Sequence, residues 1–225
     1  MAEEKVTMYY WPMLGRAGAS VLMLEHKKQA YEMKSEFKDI ASIGTAFGAQ
    51  GKDTFAPPIL AWGDVVVSQS AAVSLFVGNK LGIDKFEGND RFKALKHTLD
   101  VADWATDVFN HMSKPAEDVK KFLSDRNKKW MTNVEAAIKG PYYFGSDVSS
   151  VDFFLYNAYK MSEVGMFAPV SKITGEDYTS SFKKVLKVVE LVGALDGVKG
   201  YDKLPFLREG YGVKKEVLDA LAKAK

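Results

Sequence analysis

The chain has no cysteine among its 225 residues. That absence excludes disulfides and cysteine-ligated zinc, and it leaves the protein no thiol of its own to serve as nucleophile or redox centre. Histidine is nearly as scarce. His26, His97 and His111 are the only three, with no metal-ligand spacing between them. No apolar run approaches the roughly 20 residues that a membrane-spanning helix needs. The opening Met1-Ala2-Glu3-Glu4-Lys5 has no apolar signal core, so the expectation is a cytoplasmic protein without a membrane partner. An excess of one charge is missing too: 31 Lys+Arg stand against 29 Asp+Glu, which gives no electrostatic case for nucleic acid. The pairs Lys120-Lys121 and Lys128-Lys129 are too short to alter that and read as solvated faces.

What is present begins with Tyr9-Tyr10-Trp11-Pro12-Met13-Leu14-Gly15-Arg16-Ala17. Upstream, Lys5 to Tyr10 carries the β-formers Val6, Thr7 and Tyr9; downstream, Ala17, Val21 and Leu24 recur at helical spacing. A phenol, a glycine turn and an arginine thus fall between a strand and a helix, where unpaired backbone N–H groups favour an anion. A second stretch runs Phe55-Ala56-Pro57-Pro58-Ile59-Leu60, then Gly63-Asp64, then Val65-Val66-Val67-Ser68-Gln69-Ser70. It predicts strand, hairpin, strand and helix, with a proline at the mouth of the first strand as a candidate cis peptide. Gln69 and Ser70 open a helix reaching Leu81 and Gly82, a second helix start suited to a carboxylate.

After a junction from Gly82 to Asn89, where Gly82, Asp84, Lys85 and Gly88 cluster, every pattern is helical. Phe92, Leu95, Leu99, Ala102, Thr106 and Phe109 recur at three and four and predict one buried face; Asp100, Asp103, Asp107 and Asn110 run beside them. A helical pattern from Val119 to Ile138 stops at Gly140-Pro141. Ser149-Ser150-Val151-Asp152 has capping-box form ahead of a helix reaching about Val164, and further helices are expected from Phe182 to Leu191 and from Lys214 to Ala222. The order of elements is mixed α and β first, then all-α.

In this order the four motifs resemble the cytosolic glutathione transferase family of the tyrosine type, sigma-, mu- or pi-like, over nearly the whole chain. The resemblance implies an α+β protein: a thioredoxin-like domain at residues 1–82, a linker at 83–89 and an all-helical domain at 90–225. It implies conjugation of the glutathione thiolate to a small apolar electrophile, with glutathione as co-substrate, no metal, and a homodimer. Tyr10, placed by its spacing to Gly15, is similar to the tyrosine that donates its hydroxyl to the glutathione sulfur. Gln69 and Ser70 look like the pair that holds the γ-glutamyl end, with Arg16 nearby. Pro58 resembles the family's cis-proline, and Pro57 occupies the position whose backbone bonds glutathione. Lys52 is the available residue for the glycyl end. Asp107 fits the aspartate that reaches the partner subunit's glutamyl amine, Asp103 being the alternative. Met13, Leu14, Phe109 and Met112 would line the apolar substrate pocket.

The sequence departs from the family pattern in four places. Proline at position 57 has no N–H to offer a ligand. Leu14 stands where many relatives have arginine, and Gly18 where many have glutamate. Between Ser35 and Phe55 the usual tryptophan and lysine have no clear counterpart. Two further readings keep the same fold: a glutathione-dependent isomerase, and a non-catalytic binding or structural relative.

Overall fold

In a computed structural model that describes residues 4–223, the chain begins with a four-stranded sheet. Its strands are β1 (Val6–Tyr9), β2 (Glu32–Lys34), β3 (Ile59–Trp62) and β4 (Val65–Ser68), in the spatial order β2-β1-β3-β4. β1 pairs parallel with β2 and antiparallel with β3, and β3 pairs antiparallel with β4 across the Gly63-Asp64 turn. β1, hydrogen-bonded on both sides, buries Val6, Thr7 and Met8 on both of its faces; edge strand β4 leaves Val65 and Val66 open. Helix α1 (Gly18–His26) covers the sheet and is buried from Gly18 to Leu24; α2 (Phe37–Ala41) is short, and α3 (Ser70–Lys80) follows β4 directly.

The remaining regular elements are helical: α4 (Asp90–His111), α5 (Ala116–Lys121), α6 (Asn127–Ala137), α7 (Ser150–Ser162), α8 (Ala168–Thr174), α9 (Lys183–Gly193) and α10 (Lys215–Lys223). One π turn joins α5 to α6 and another joins α7 to α8. The architecture is therefore a mixed sheet with flanking helices followed by a helical region, the α+β order expected from the sequence. α7 is its axis. It is buried over most of its length and packs against α1 and α3 on one side and α4 and α9 on the other, so a single apolar core runs through both parts. Its start is fixed by Asp152, whose carboxylate accepts the Ser149 N–H at 2.8 Å, the Ser149 hydroxyl at 2.6 Å and the Tyr143 N–H at 2.8 Å.

One expectation is overturned in α4. Its buried face is Ala94, Thr98, Val101, Trp104 and Val108, whereas Phe92 is 72% exposed and Leu95, Leu99 and Phe109 are also open. Both faces carry apolar residues at helical spacing. One packs on α6 and α7, and the other borders a cleft, a distinction that periodicity does not encode.

Candidate active site

Between the sheet and α4 lies a cavity of about 680 Å³, within the range of small-molecule sites. Its floor is the turn after β1. Gly15 at φ +43° turns the chain into a 3₁₀ segment (Gly15–Ala17), so that the Arg16 N–H points back and donates to the Tyr10 hydroxyl oxygen at 2.8 Å. The fit is close: a Cβ on Gly15 would lie 2.6 Å from the Tyr10 oxygen. That oxygen is thus occupied as an acceptor, and the Tyr10 O–H has no acceptor among the described residues. Burial pushes the phenol above its ordinary pKa, with the Arg16 N–H and guanidinium pulling it partly back. Tyr10 is consequently a neutral phenol at pH 7, with its O–H left to donate, in the lining of the cavity. Tyr9, by contrast, belongs to β1 and pairs with Lys34 and Ile59.

The polar end of the cavity is built by Arg16 and by the start of α3. Gln69 precedes that helix at φ +74°, a left-handed conformation that a non-glycine residue adopts at a cost of order 1–3 kcal/mol, of the kind that collects at ligand sites. It presents Gln69 and Ser70 on the cavity wall beside the unpaired N–H groups of the helix start. Pro57 forms the wall next to them, and the Pro57–Pro58 peptide bond is cis. The opposite end is apolar, lined by Met13, Leu95, Leu99, Phe109 and Leu207.

Four residues that the family resemblance assigned to the site do not line this cavity. Leu14 is fully buried, donates its N–H to the Pro205 carbonyl at 2.7 Å and does not reach the cavity. Met112 is buried against Gly165, where an added Cβ would lie 2.5 Å from its terminal methyl. Pro58 is buried behind Pro57, and Lys52 is exposed outside the lining. Asp107, whose expected role is toward the partner subunit's glutathione, accepts from Arg126 Nε and from Trp130 Nε1, the latter at 2.8 Å; Asp103, one turn earlier, borders the cavity of this chain. The helix periodicity places both on the same side only approximately, since their spacing of four residues spans more than a full turn.

Several lining residues escaped the sequence. Asn157 of α7 donates Nδ2 to the Gly15 carbonyl at 2.8 Å, and its contact explains the departure at position 18: a Cβ on Gly18 would lie 2.0 Å from Asn157 Oδ1. Leu207 and Tyr211 come from an irregular segment before α10 that is pinned by Gly15 N–H to Phe206 carbonyl at 3.0 Å and by Val213 N–H to Gly165 carbonyl at 2.8 Å. Irregular backbone has no periodicity, so no pattern marks these two residues in advance.

Comparison with known proteins agrees with this architecture. Residues 102–203 match the family model described as the C-terminal domain of glutathione S-transferase. The chain superposes on the Pi-class glutathione S-transferase of Onchocerca volvulus with a TM-score of 0.73 at 14% identity, covering 92% of this chain and 99% of that one. It superposes on the sigma-class enzyme of Fasciola hepatica with a TM-score of 0.66 at 12% identity, covering 87% of this chain and 93% of that one. At these identities the likeness is one of fold. No curated protein matches the sequence.

Proposed function

From the glutathione transferase fold of the whole chain, and the family's C-terminal domain in residues 102–203, we propose that this protein is a cytoplasmic glutathione transferase that conjugates the glutathione thiolate to small apolar electrophiles. The observation that carries the reading is the Tyr10 hydroxyl: neutral, its oxygen taken by the Arg16 N–H, its proton free toward a cavity polar at one end and apolar at the other. In this reading the division into 1–82, 83–89 and 90–225 separates a glutathione-binding domain from the one supplying the apolar wall.

A free thiol with pKa of about 8.5 is only a few per cent ionised at neutral pH. A hydrogen bond from Tyr10 and the field of the nearby helix starts stabilise the thiolate; a shift of about two units corresponds to roughly 2.7 kcal/mol. Lower basicity returns part of the gain as weaker nucleophilicity, so most of the acceleration comes from holding sulfur and electrophile together. Gln69, Ser70 and Arg16 would receive the γ-glutamyl end, and Asp107, or Asp103 at the rim of this cavity, would reach the glutamyl amine of the glutathione bound by the partner subunit. Phe55, 65% exposed, and Phe92 on α4 are apolar surface that a second copy would cover, in line with a homodimer.

The test is conjugation of glutathione to chlorodinitrobenzene by the wild type and by Tyr10→Phe at neutral pH. A several-fold loss in the variant supports the assignment. Equal activity in both would remove the role given to Tyr10, and glutathione binding without turnover in the wild type would favour a non-catalytic relative.

A further inference from the structure

The site end of the sheet sets a direction for any peptide laid across it. Ser68, Ile59, Tyr9 and Lys34 form one row of paired residues over β4, β3, β1 and β2, and the site residues stand just beyond that row. Gln69 follows β4, Pro57 and Pro58 precede β3, and Tyr10 follows β1. A thiol peptide with its γ-glutamyl end at Gln69 and its sulfur at Tyr10 crosses two strand spacings of about 4.8 Å each, and its remaining arm leaves toward β2. On that side Trp11, which lines the cavity, meets Phe47 edge-to-face with ring centroids 5.8 Å apart, and Phe47 meets Phe37 likewise at 5.9 Å. Trp11 and Phe47 are half-buried and Phe37 is 61% exposed, so a ladder of three rings runs from the cavity wall to solvent. The loop that carries Phe47 is pinned. The Thr45 and Ala46 N–H groups donate to the Thr54 and Phe55 carbonyls at 2.9 Å, and Thr54 Oγ1 donates to the Ile43 carbonyl at 2.6 Å.

Charge on this side is already matched. Residues 34–56 hold three lysines and three carboxylates. Lys34 Nζ lies 3.9 Å from a Glu32 oxygen and 4.0 Å from one of Asp39, and Lys38 Nζ lies 2.7 Å from Glu36. Among the described residues that line the cavity, Arg16 is the one cation, and it stands at the polar end with Gln69 and Ser70. We propose that the ladder of Trp11, Phe47 and Phe37 receives the C-terminal end of the thiol co-substrate, making γ-glutamylcysteinyl peptides with an uncharged, apolar C-terminal group the preferred thiols. The inference rests on the transferase reading above. Glutathione carries two carboxylates. One is met by Arg16 and the start of α3; the second would lie against apolar rings, with lysines nearby that already have carboxylate partners. Masking it as an amide removes a charge that this side of the site does not neutralise. An aromatic group on that amide adds a ring to the ladder, and edge-to-face pairs contribute beyond the area they bury. The sulfur is untouched, so the ladder selects among thiols and leaves the choice of electrophile to the apolar end of the cavity.

The experiment measures kcat/KM with chlorodinitrobenzene for three thiols, glutathione, its glycyl amide and its glycyl benzylamide, in the wild type and in Phe37→Ala. The amide is expected to match glutathione or exceed it. The benzylamide should exceed the amide about three- to tenfold, the scale of an aromatic pair. In Phe37→Ala the benzylamide-to-amide ratio should fall to under about twofold; a merely structural change lowers all three thiols in parallel and keeps the ratio. Glutathione turned over more than about threefold better than its amide overturns the proposal, because the carboxylate is then recognised. So does a benzylamide advantage that is missing in the wild type or that survives in Phe37→Ala. Should Phe37→Ala lose its melting transition, Phe37→Leu, which keeps an apolar side chain without the ring, decides. No turnover with any of the three thiols removes the transferase reading. Calorimetric titration of the thiols then tests the ladder by itself: tighter binding of the benzylamide, lost in Phe37→Ala, supports it, and equal binding of all three overturns it.

Discussion

Asn157 and Gly15 are joined by a 2.8 Å hydrogen bond from Nδ2 to the carbonyl, which ties α7 of the helical region to the turn beneath the Tyr10 hydroxyl. Gly15 is also the residue whose following N–H, on Arg16, meets that hydroxyl. The helical region thus sets the orientation of a residue belonging to the sheet region.

Asn157→Ala leaves the buried Gly15 carbonyl without its donor, an expected loss of about 1–3 kcal/mol in stability, moderated because Asn157 Oδ1 has no partner to lose. It should also lower kcat in the conjugation assay more than it raises the KM for glutathione, since the Tyr10 donor is misaimed while the γ-glutamyl end is untouched. Steady-state kinetics with urea unfolding check both. An unchanged kcat would show that the turn holds its shape without α7.

Gly18→Ala places a Cβ 2.0 Å from Asn157 Oδ1 and 2.9 Å from Leu14 Cβ. Overpacking in a buried interface of this kind costs roughly 1–3 kcal/mol. Combining it with Asn157→Ala should recover part of that loss, and a double-mutant cycle in thermal unfolding measures the coupling. Strict additivity would mean that the two residues do not meet.

Asp103 and Asp107 should separate by phenotype. Asp103→Ala is expected to raise the glutathione KM several-fold with little change in melting temperature, whereas Asp107→Ala should lower stability by about 1–3 kcal/mol, because Trp130 Nε1 and Arg126 lose their acceptor. Calorimetric titration with glutathione alongside thermal scans distinguishes them. A KM effect from Asp107 alone would give the amine contact to Asp107.

Asp152 gives a pH prediction. Burial pushes its carboxyl up to about 6 against the three hydrogen bonds that favour the charge. Because the folded pKa lies above the unfolded value of 3.8, the native state holds the extra proton between those pH values. The corresponding stability is fully present below about pH 4 and lost as pH rises through about 6. The span from 3.8 to about 6 amounts to about 3 kcal/mol. Relative to Asp152→Asn, the wild type should therefore gain stability as the pH is lowered from 7 to 4, measured by urea unfolding at each pH. A difference that does not vary with pH would place the titration elsewhere.

Much of this site is legible from local sequence, and the limit is set by range. Tyr10, Gly15 and Arg16 are near neighbours in the chain, so their spacing carries their geometry, and Gln69 and Ser70 declare themselves as a helix start. The hairpin at Gly63-Asp64 and the capping box at Ser149 are similarly local. The errors arise where two faces of one helix compete, as in α4, or where neighbouring side chains share an apolar character but point apart, as with Met13 on the cavity and Leu14 in the core. Asn157 and Tyr211 act through contacts with chain far away in sequence, which no periodicity reports. Strand β2 and helix α2 are too short, at three and five residues, to establish a period.

The bonds from Leu14 to Pro205 and from Gly15 to Phe206 bear on how the protein is made. Translation adds residues at roughly 5–20 per second, so the Tyr10 turn leaves the ribosome many seconds before its backbone partners exist. Until then the Leu14 and Gly15 N–H groups are without those acceptors, and closing contacts of such long sequence separation is slow. A nascent chain with its sheet already folded would still lack the segment that brings Leu207 and Tyr211 to the cavity. The cavity becomes complete only when the late segment docks, after nearly all of the described chain has been synthesised.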